Sequence, residues 1–258
     1  MGGTVPQQGY LPKGKYPHTR LAGYLPPGKY LCAGGCVYRM PTSRNKTHEM
    51  EFLMQLYFSP GACSLASHIT AREAGLSLDL KRADTKTKKL EDGSDYFAIN
   101  SKGAVPALKL DNGQVLTEGV AIMQYLADQK PESNLAPKNG TLERYRVQEW
   151  LNYVTSEVHK TFSPLWNPAN EQAVKDYALA NLKKKFDWLN GQLAGKKYLT
   201  GDNFTVADAY LFTVVNWSNF LAIDLSAWPA LKEFQARVAA RPKVQEAMEA
   251  EGLIKKAA

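Results

Sequence analysis

One stretch of the chain, from Tyr57 to Gly75, constrains the fold more than any other. A short alternating strand over 55–58 runs into Pro60 and Gly61, which break it. Helical spacing of apolar residues follows and ends at the glycine that closes the stretch. This strand, turn and helix together place Cys63 at the amino end of the helix.

The position of Cys63 suggests a reactive thiol. Unpaired amide groups and the positive end of the helix dipole favour the thiolate, so a lowered pKa is expected. The alternative is a small buried residue at a tight turn. A fall in pKa from about 8.5 to about 6.5 would speed attack only about threefold, because a less basic thiolate is a weaker nucleophile. The fold must therefore also hold a second reactant against this thiol.

Charge and cysteine content exclude several classes of function. The net charge of +7 is uneven, since residues 1–53 carry +5 and the remaining chain only +2. That near balance argues against nucleic acid as a partner. There is no apolar run of 18 residues and no signal-peptide core, so no membrane partner is expected. Three cysteines, Cys32, Cys36 and Cys63, are an odd number in a long chain and favour a reducing compartment, the cytoplasm.

Residues 1–53 differ in composition from the rest of the chain. They are rich in Gly, Pro and Tyr, contain a near-repeat at 9–16 and 23–30, and show neither helical nor strand periodicity. We expect a flexible extension without its own core. Cys32 and Cys36 have the wrong spacing for a redox pair or a zinc site, so no metal is expected. Met54 precedes the first strand and could be the native start of translation.

Beyond the extension, the pattern predicts a small mixed sheet carrying helices. After the strand and helix around Cys63, alternation over 76–82 predicts a second strand. Residues 103–116 read as two strands joined by an Asp-Asn-Gly turn. A helix opens at 117–119. This order predicts an α/β domain over 54–130.

A linker by composition, 131–140, leads into a segment, 141–258, in which every element is helical. Its first helix carries an apolar stripe formed by Val147, Trp150, Leu151, Val154 and Val158. Asn152, Ser156 and His159 cluster on the opposite face. That face is either solvated or lines a cleft against the first domain.

Thr205 and Asp208 form a variant of the helix capping box, with the threonine as N-cap and the carboxylate at the third helical position. The helix that follows is apolar on all sides and is expected to be largely buried. Asp208 is therefore predicted to be structural, with little direct effect on chemistry.

Together these motifs resemble those of the cytosolic glutathione transferases. The likeness lies in the thiol-bearing first helix, Ala104-Val105-Pro106-Ala107 before a hairpin, Thr117-Glu118-Gly119 at a helix start, and Phe204-Thr205-Val206-Ala207-Asp208 in the helical segment. Residues 60–68, 118–126 and 157–160 are similar to the bacterial beta class. The likeness covers the chain from Met54 onward and leaves out 1–53.

The resemblance implies a thioredoxin-like domain in which Val105-Pro106 is a cis peptide that presents the backbone of Val105 to the cysteinyl part of glutathione. Glu118 and Gly119 would hold the γ-glutamyl end, the first by its carboxylate and the second by an amide at a helix start. Many relatives have Ser at the second position, so the side-chain hydroxyl is missing here. Lys88 would face the glycyl carboxylate, with Lys86 and Lys89 as alternatives in a neighbouring register.

From the helical domain, the resemblance assigns Asn152, Ser156 and His159 to the cleft that holds glutathione. Cys63 would either activate the sulfur of glutathione or form a mixed disulfide with it. His159 could polarise either thiol, or be only a hydrogen-bonded cleft residue. The candidate walls of an electrophile pocket are Phe162, Trp166, Tyr210 and Trp217, and core packing explains the same aromatic spacing equally well.

The family likeness thus implies a homodimeric transferase of detoxification, with glutathione as co-substrate and a small hydrophobic electrophile, such as a halogenated aromatic, as the second substrate. A glutathione-dependent thiol-disulfide oxidoreductase or reductive dehalogenase acting through Cys63 is the first alternative. A non-catalytic binding protein on the same fold is the second.

Overall fold

A computed structural model describes residues 29–31, 37–39 and 54–255, and the chain divides into two compact units, Met1–Met50 and Glu51–Ala258. In the first unit, β1 (Lys29–Leu31) pairs antiparallel with β2 (Val37–Arg39). These strands are not among the elements predicted from the sequence. The rest of the predicted flexible extension, with Cys32 and Cys36, lies outside the described residues.

The second unit begins with a five-stranded mixed sheet, as the sequence predicts. Its strands are β3 (Gln55–Phe58), β4 (Asp79–Asp84), β5 (Lys89–Leu90), β6 (Ala107–Lys109) and β7 (Val115–Thr117). The order is β5-β4-β3-β6-β7, with β3 parallel to β4 and antiparallel to β6. The second strand starts later than predicted, because the amide of Leu76 still bonds to Ala71 and closes the preceding helix.

Two helices, α1 (Ser64–Glu73) and α2 (Gly119–Asp128), pack on one face of this sheet. Leu56 and Leu108 of the sheet and Ile122 of α2 are fully buried between the layers. The opposite face carries a smaller apolar cluster around Tyr96. This is a thioredoxin-like arrangement, in which the chain leaves β3 and enters α1 at an edge open to a ligand.

The remaining elements are helical. They are α3 (Leu142–Tyr153), a π-helical turn (Val154–His159), α4 (Lys160–Trp166), α5 (Gln172–Leu193), α6 (Val206–Val215), α7 (Trp217–Phe220), α8 (Pro229–Ala239) and α9 (Pro242–Ala250). The fold class predicted from the sequence, an α/β thioredoxin-like part followed by an all-α part, is therefore confirmed.

The π-helical turn widens the helix beside the candidate site. Its hydroxyl side chains bond back to backbone carbonyls one turn earlier, Thr155 to Leu151 at 2.7 Å and Ser156 to Asn152 at 3.0 Å. Such side-chain bonds compete with the regular helical ladder, and single wide turns are frequent at functional sites.

The helical core matches the predicted stripe with one exception. Val147, Leu151, Val154 and Val158 are fully buried, whereas Trp150 is only partly buried and packs against Trp188 of α5, with ring centroids 5.4 Å apart. The tryptophan therefore belongs to a surface aromatic group rather than to the core.

The capping box at the start of α6 is also confirmed. The Asp208 carboxylate accepts bonds from the amide and hydroxyl of Thr205, both at 2.8 Å, and from the amide of Leu199 at 2.8 Å. It is fully buried, and that burial raises the pKa of Asp208 to about 6.

Two ion pairs join helices α1 and α2 of the thioredoxin-like part to the all-helical part. Arg144, which is 2% exposed, forms two bonds to Asp128 at 2.8 and 2.9 Å. Arg241 forms two bonds to Glu73, at the end of α1, at 2.6 and 2.8 Å. Among the described residues, no helix is long and apolar enough to cross a membrane, and no group of three His, Cys, Asp or Glu side chains could hold a metal ion.

Candidate active site

Cys63 lies at the amino end of α1, as the sequence predicts, and occupies its N-cap position. Its thiol donates a hydrogen bond to the backbone oxygen of Val105 at 3.1 Å. The thiol of Cys63 and the loop before β6 are thus in direct contact across 42 positions of sequence.

The expected direction of the Cys63 pKa shift is wrong for the free protein. Burial raises the pKa of this thiol to about 11, while the backbone amides of Cys63 and Ser64 act to lower it. Glu118 raises it further and Lys160 opposes that effect. The helix terminus does stabilise the thiolate, but loss of water around the sulfur outweighs it. In the free protein Cys63 is therefore a protonated thiol.

The loop before β6 is fixed from behind by two buried side chains. The hydroxyl of Tyr96 donates to the oxygen of Ala104 at 2.9 Å, and the side-chain amide of Asn100 donates to the same oxygen at 2.7 Å. The following Val105–Pro106 bond is cis, which confirms the prediction. The backbone of Val105 is thereby held towards Cys63.

Glu118 and Gly119 stand at the start of α2, next to this loop. Glu118 has φ 71°, an uncommon backbone conformation for a residue with a side chain, and Gly119 is the first helical residue. A Cβ at Gly119 would lie 3.6 Å from the ring of Pro106, which is ordinary contact. A side chain could therefore be accommodated at Gly119.

Lys102 is a site residue that the sequence analysis missed. Its ammonium forms an ion pair with Glu118 and donates to the hydroxyl of Thr117 at 2.8 Å. Nothing in the local pattern distinguishes this lysine from its neighbours. Only the folding of the loop beside α2 brings it to the carboxylate.

Of the three candidate lysines, Lys88 is the one fastened to the site loop. Its ammonium donates to the oxygen of Gly103 at 2.8 Å, and its own backbone has φ 59°. Gly103 has φ 60°, and a Cβ there would lie 2.7 Å from the ring of Phe97, which would have to move, so glycine is favoured. By contrast, Lys86 is exposed and Lys89 belongs to β5.

His159 closes the π-helical turn and contacts two aromatic side chains of the helical half. Its Nδ1 lies 2.7 Å from the hydroxyl of Tyr210, and its ring is 4.8 Å from that of Trp217. Burial, followed by the charge of Lys160, lowers the pKa of His159 to about 4. The imidazole is therefore neutral at physiological pH.

Cys63 and Tyr210 are electrostatic neighbours. Burial raises the pKa of Tyr210, and a thiolate at Cys63 raises it further. Tyr210 of the helical part is therefore close enough to Cys63 of the thioredoxin-like part to sense its charge. Trp217 also bridges them, since its indole nitrogen donates to the oxygen of Gly61 at 2.8 Å. The site thus combines a thiol, a fixed backbone edge and a neutral imidazole.

Asn152 and Ser156 are exposed on the helix that bears His159. The only described bond between them joins the hydroxyl of Ser156 to the backbone oxygen of Asn152. No described contact joins either side chain to Cys63 or to the loop before β6, so their assignment to the glutathione cleft remains a prediction.

The predicted aromatic walls divide into core and surface. Phe162 is fully buried and packs edge-on against Trp217 at 5.5 Å and against Phe186 at 6.2 Å, so it supports the indole from behind and presents no surface to a pocket. Of the two alternatives that the sequence leaves open for Phe162, its full burial favours core packing, because helical spacing alone did not separate an inward from a cleft-facing position. Trp166 is 45% exposed and lies 6.0 Å from the same indole.

A thioredoxin-like sheet with a thiol at the first helix, a cis-proline edge beside it and an all-helical second part defines the architecture of the glutathione transferases. Family models match both parts: residues 61–129 match the glutathione S-transferase N-terminal domain, and residues 153–242 match the glutathione S-transferase C-terminal domain. The chain therefore belongs to the glutathione S-transferase family.

Several bacterial glutathione S-transferases are similar to this chain over most of its length. The chain is 48% identical to glutathione S-transferase GstA of Escherichia coli O157:H7 over 200 residues, which cover 78% of this chain and 100% of the relative. It is 46% identical to the bacterial beta class glutathione S-transferase of Sphingomonas chungbukensis, with TM-score 0.76, covering 78% of this chain and 100% of that one. A sphingomonad glutathione S-transferase solved with glutathione is 44% identical, with TM-score 0.75 and the same coverage. These comparisons confirm the beta-class resemblance.

Proposed function

We propose that this glutathione transferase joins the sulfur of glutathione to the electrophilic carbon of a small hydrophobic compound, such as a halogenated aromatic, in detoxification. The observation that carries the proposal is the contact between the Cys63 thiol and the backbone oxygen of Val105, because it sets a thiol beside the edge that would pair with a peptide. Family membership supplies the co-substrate, and no metal is required.

Glutathione binds mainly to the thioredoxin-like part. The cysteinyl portion pairs with the backbone of Val105 beside Pro106, and its amide competes with Cys63 for the Val105 oxygen. The γ-glutamyl ammonium meets Glu118, while its carboxylate meets the amide of Gly119.

Charges at the ends of the site fit a tripeptide with two carboxylates. Lys88 receives the glycyl carboxylate, and Lys102, now paired with Glu118, shares the γ-glutamyl end. Asn152 and Ser156 complete the cleft from the helical part.

The chemistry balances as a nucleophilic substitution. The thiol of glutathione gives its proton to solvent, the thiolate attacks carbon, a thioether forms and the leaving group departs with its electron pair. Because Tyr210 is held in its protonated form, its hydroxyl donates to Nδ1 of His159, and Nε2–H of the neutral ring donates to the sulfur anion. The electrophile lies against Trp166, which is 45% exposed; Tyr210 and Trp217 are buried, at 4% and 6%, and would present only a small area to it.

A second copy of the chain is the proposed partner, in the cytoplasm. Support comes from a surface groove of about 660 Å³ on α3 and α5, which is lined by Trp150, Tyr153 and Trp188. Light scattering should give the mass of a dimer. Trp188→Glu should give a monomer, while Tyr177→Glu, on the same helix but 72% exposed and outside the groove, should not.

Two assays test the proposed function. Retention on immobilised glutathione should be lost in Glu118→Ala and kept in Glu132→Ala, a surface carboxylate remote from α2's amino end. Conjugation of a halogenated nitroaromatic should then be compared between the wild type and Cys63→Ala. Conjugation that survives while reduction of a mixed disulfide disappears would assign both chemistries, the second to Cys63.

Two results would contradict the proposed conjugation activity. A wild type that is retained on glutathione but turns over no electrophile would leave only the binding role. Calorimetry that detects no uptake of glutathione would remove the proposal altogether.

A further inference from the structure

The backbone of Gly61, two residues before Cys63, is held at both ends by side chains from the helical part. Glu251 accepts from its amide at 2.9 Å, and Trp217 donates to its oxygen at 2.8 Å. Gly61 has φ 69°, and a Cβ there would come within 3.3 Å of Leu253 and Phe220. The turn that leads to the thiol therefore packs against α7 and the segment that follows α9.

Glu251 is itself fixed by a buried histidine. His68 of α1 is 1% exposed, and its Nδ1 lies 3.0 Å from the second carboxylate oxygen of Glu251. The guanidinium Nε of Arg72 can only donate, and it lies 3.3 Å from Nε2 of His68. Nε2 therefore accepts and Nδ1–H donates to the carboxylate. Both carboxylate oxygens of Glu251 and both ring nitrogens of His68 therefore have a hydrogen-bond partner.

We propose that Glu251, with His68 behind it, is a positioning residue for the Cys63 turn, so that the segment after α9 determines how deeply the thiol sits and how it faces Val105. Glu251 would act through the Gly61 amide and would not touch a substrate. The proposal depends on the proposed function only in taking Cys63 as the thiol of the site.

Three features distinguish this arrangement from ordinary packing. A buried carboxylate is costly unless both oxygens are bonded, and here one oxygen bonds to the turn and the other to the helix that the turn starts. The contact spans 190 positions of sequence. Apart from these contacts and the bond from Cys63 to Val105, the described bonds of the turn are local in sequence, such as that from the amide of Ala62 to the oxygen of Ser59 at 3.0 Å.

The test measures alkylation of Cys63 by iodoacetamide in the full chain without glutathione, resolved by peptide so that Cys32 and Cys36 do not contribute. Glu251→Ala should free the turn and let water reach the sulfur. We expect alkylation at pH 8 to be faster than in the wild type by at least about threefold, with the midpoint of its pH profile moved to lower pH. Glu251→Gln, which keeps an acceptor for Gly61, should stay within about twofold of the wild type.

Arg241→Ala is the matched control. It breaks the ion pair to Glu73, which also ties α1 to the segment before α9, but does not touch the turn. It should lower the thermal midpoint and leave the alkylation profile unchanged. If Glu251→Ala does not fold, Trp217→Phe removes the other bond to Gly61 and should move the profile in the same direction.

An alkylation profile that is the same in Glu251→Ala as in the wild type, or that moves equally in Arg241→Ala, would overturn the proposal and leave Glu251 a general stabilising residue. Because glutathione is absent from the assay, that result would be independent of whether the protein binds glutathione.

Discussion

The protonated state of Cys63 leads to a quantitative prediction about its reactivity in the free protein. With a pKa of about 11, the thiolate fraction at pH 7.5 is about 0.03%, against about 9% for an ordinary cysteine of pKa about 8.5. The more basic thiolate is a better nucleophile by about tenfold, for a Brønsted slope of about 0.4 to 0.5. The net expectation is alkylation about twentyfold slower than that of a free cysteine.

The assay is the rate of iodoacetamide alkylation of Cys63 between pH 6 and 10, followed by peptide mass. The rate should rise about tenfold per pH unit up to about pH 10 without a plateau. Glu118→Gln removes a charge that raises the pKa and should speed the reaction at neutral pH, whereas Lys160→Ala removes an opposing charge and should slow it.

A plateau below about pH 8 would refute the reasoning, because it would mean that the helix terminus outweighs burial at the sulfur. If Glu118→Gln slowed the reaction and Lys160→Ala sped it, the assignment of the two charges would be refuted. Cys63→Ser gives the background of the assay.

Three further predictions follow from other parts of the site and its frame. Asp208→Ala should lower the free energy of unfolding by about 2 to 4 kcal/mol in denaturant titration, because three buried donors lose their acceptor. Since its folded pKa of about 6 exceeds its ordinary value of 3.8, the wild type should gain stability relative to Asp208→Asn as pH falls through 6, and a loss would contradict the shift. Tyr210→Phe should lower kcat/KM about fivefold by removing the bond to His159, and the wild-type rate should show no step from His159 between pH 5 and 8. Asp128→Asn should cost about 2 to 3 kcal/mol in thermal unfolding by leaving Arg144 buried beside a neutral partner, and a neutral effect would contradict that role for the pair.

The sequence predicts best what neighbouring residues decide. The turn at Pro60 and Gly61, the alternating strands and the box formed by Thr205 and Asp208 are local patterns, and the structure contains each of them. The cis bond before Pro106 came from the family likeness and is also present.

The sequence fails where distant residues meet. The pKa of Cys63 depends on how deeply the sulfur is buried in the folded protein, which no local pattern records, so the expected direction was wrong. Phe162 has the spacing of a helix face that could be core or cleft, and packing against Trp217 decides for the core. Lys102 and Glu251 reach their partners only after folding, and neither is marked by its neighbours in sequence.

The wide turn at 154–159 sets the angular phase of the helix on which the second half of the site is built. Each residue advances an α-helix by about 100°, so a segment that accommodates one more residue rotates everything after it relative to everything before. His159 therefore faces Tyr210 while α3 keeps its own face towards the core. Deleting a single residue within that turn would restore ordinary helical bonding but rotate the helix after it, and the imidazole would turn away from Tyr210 even though every side chain of the site was still present.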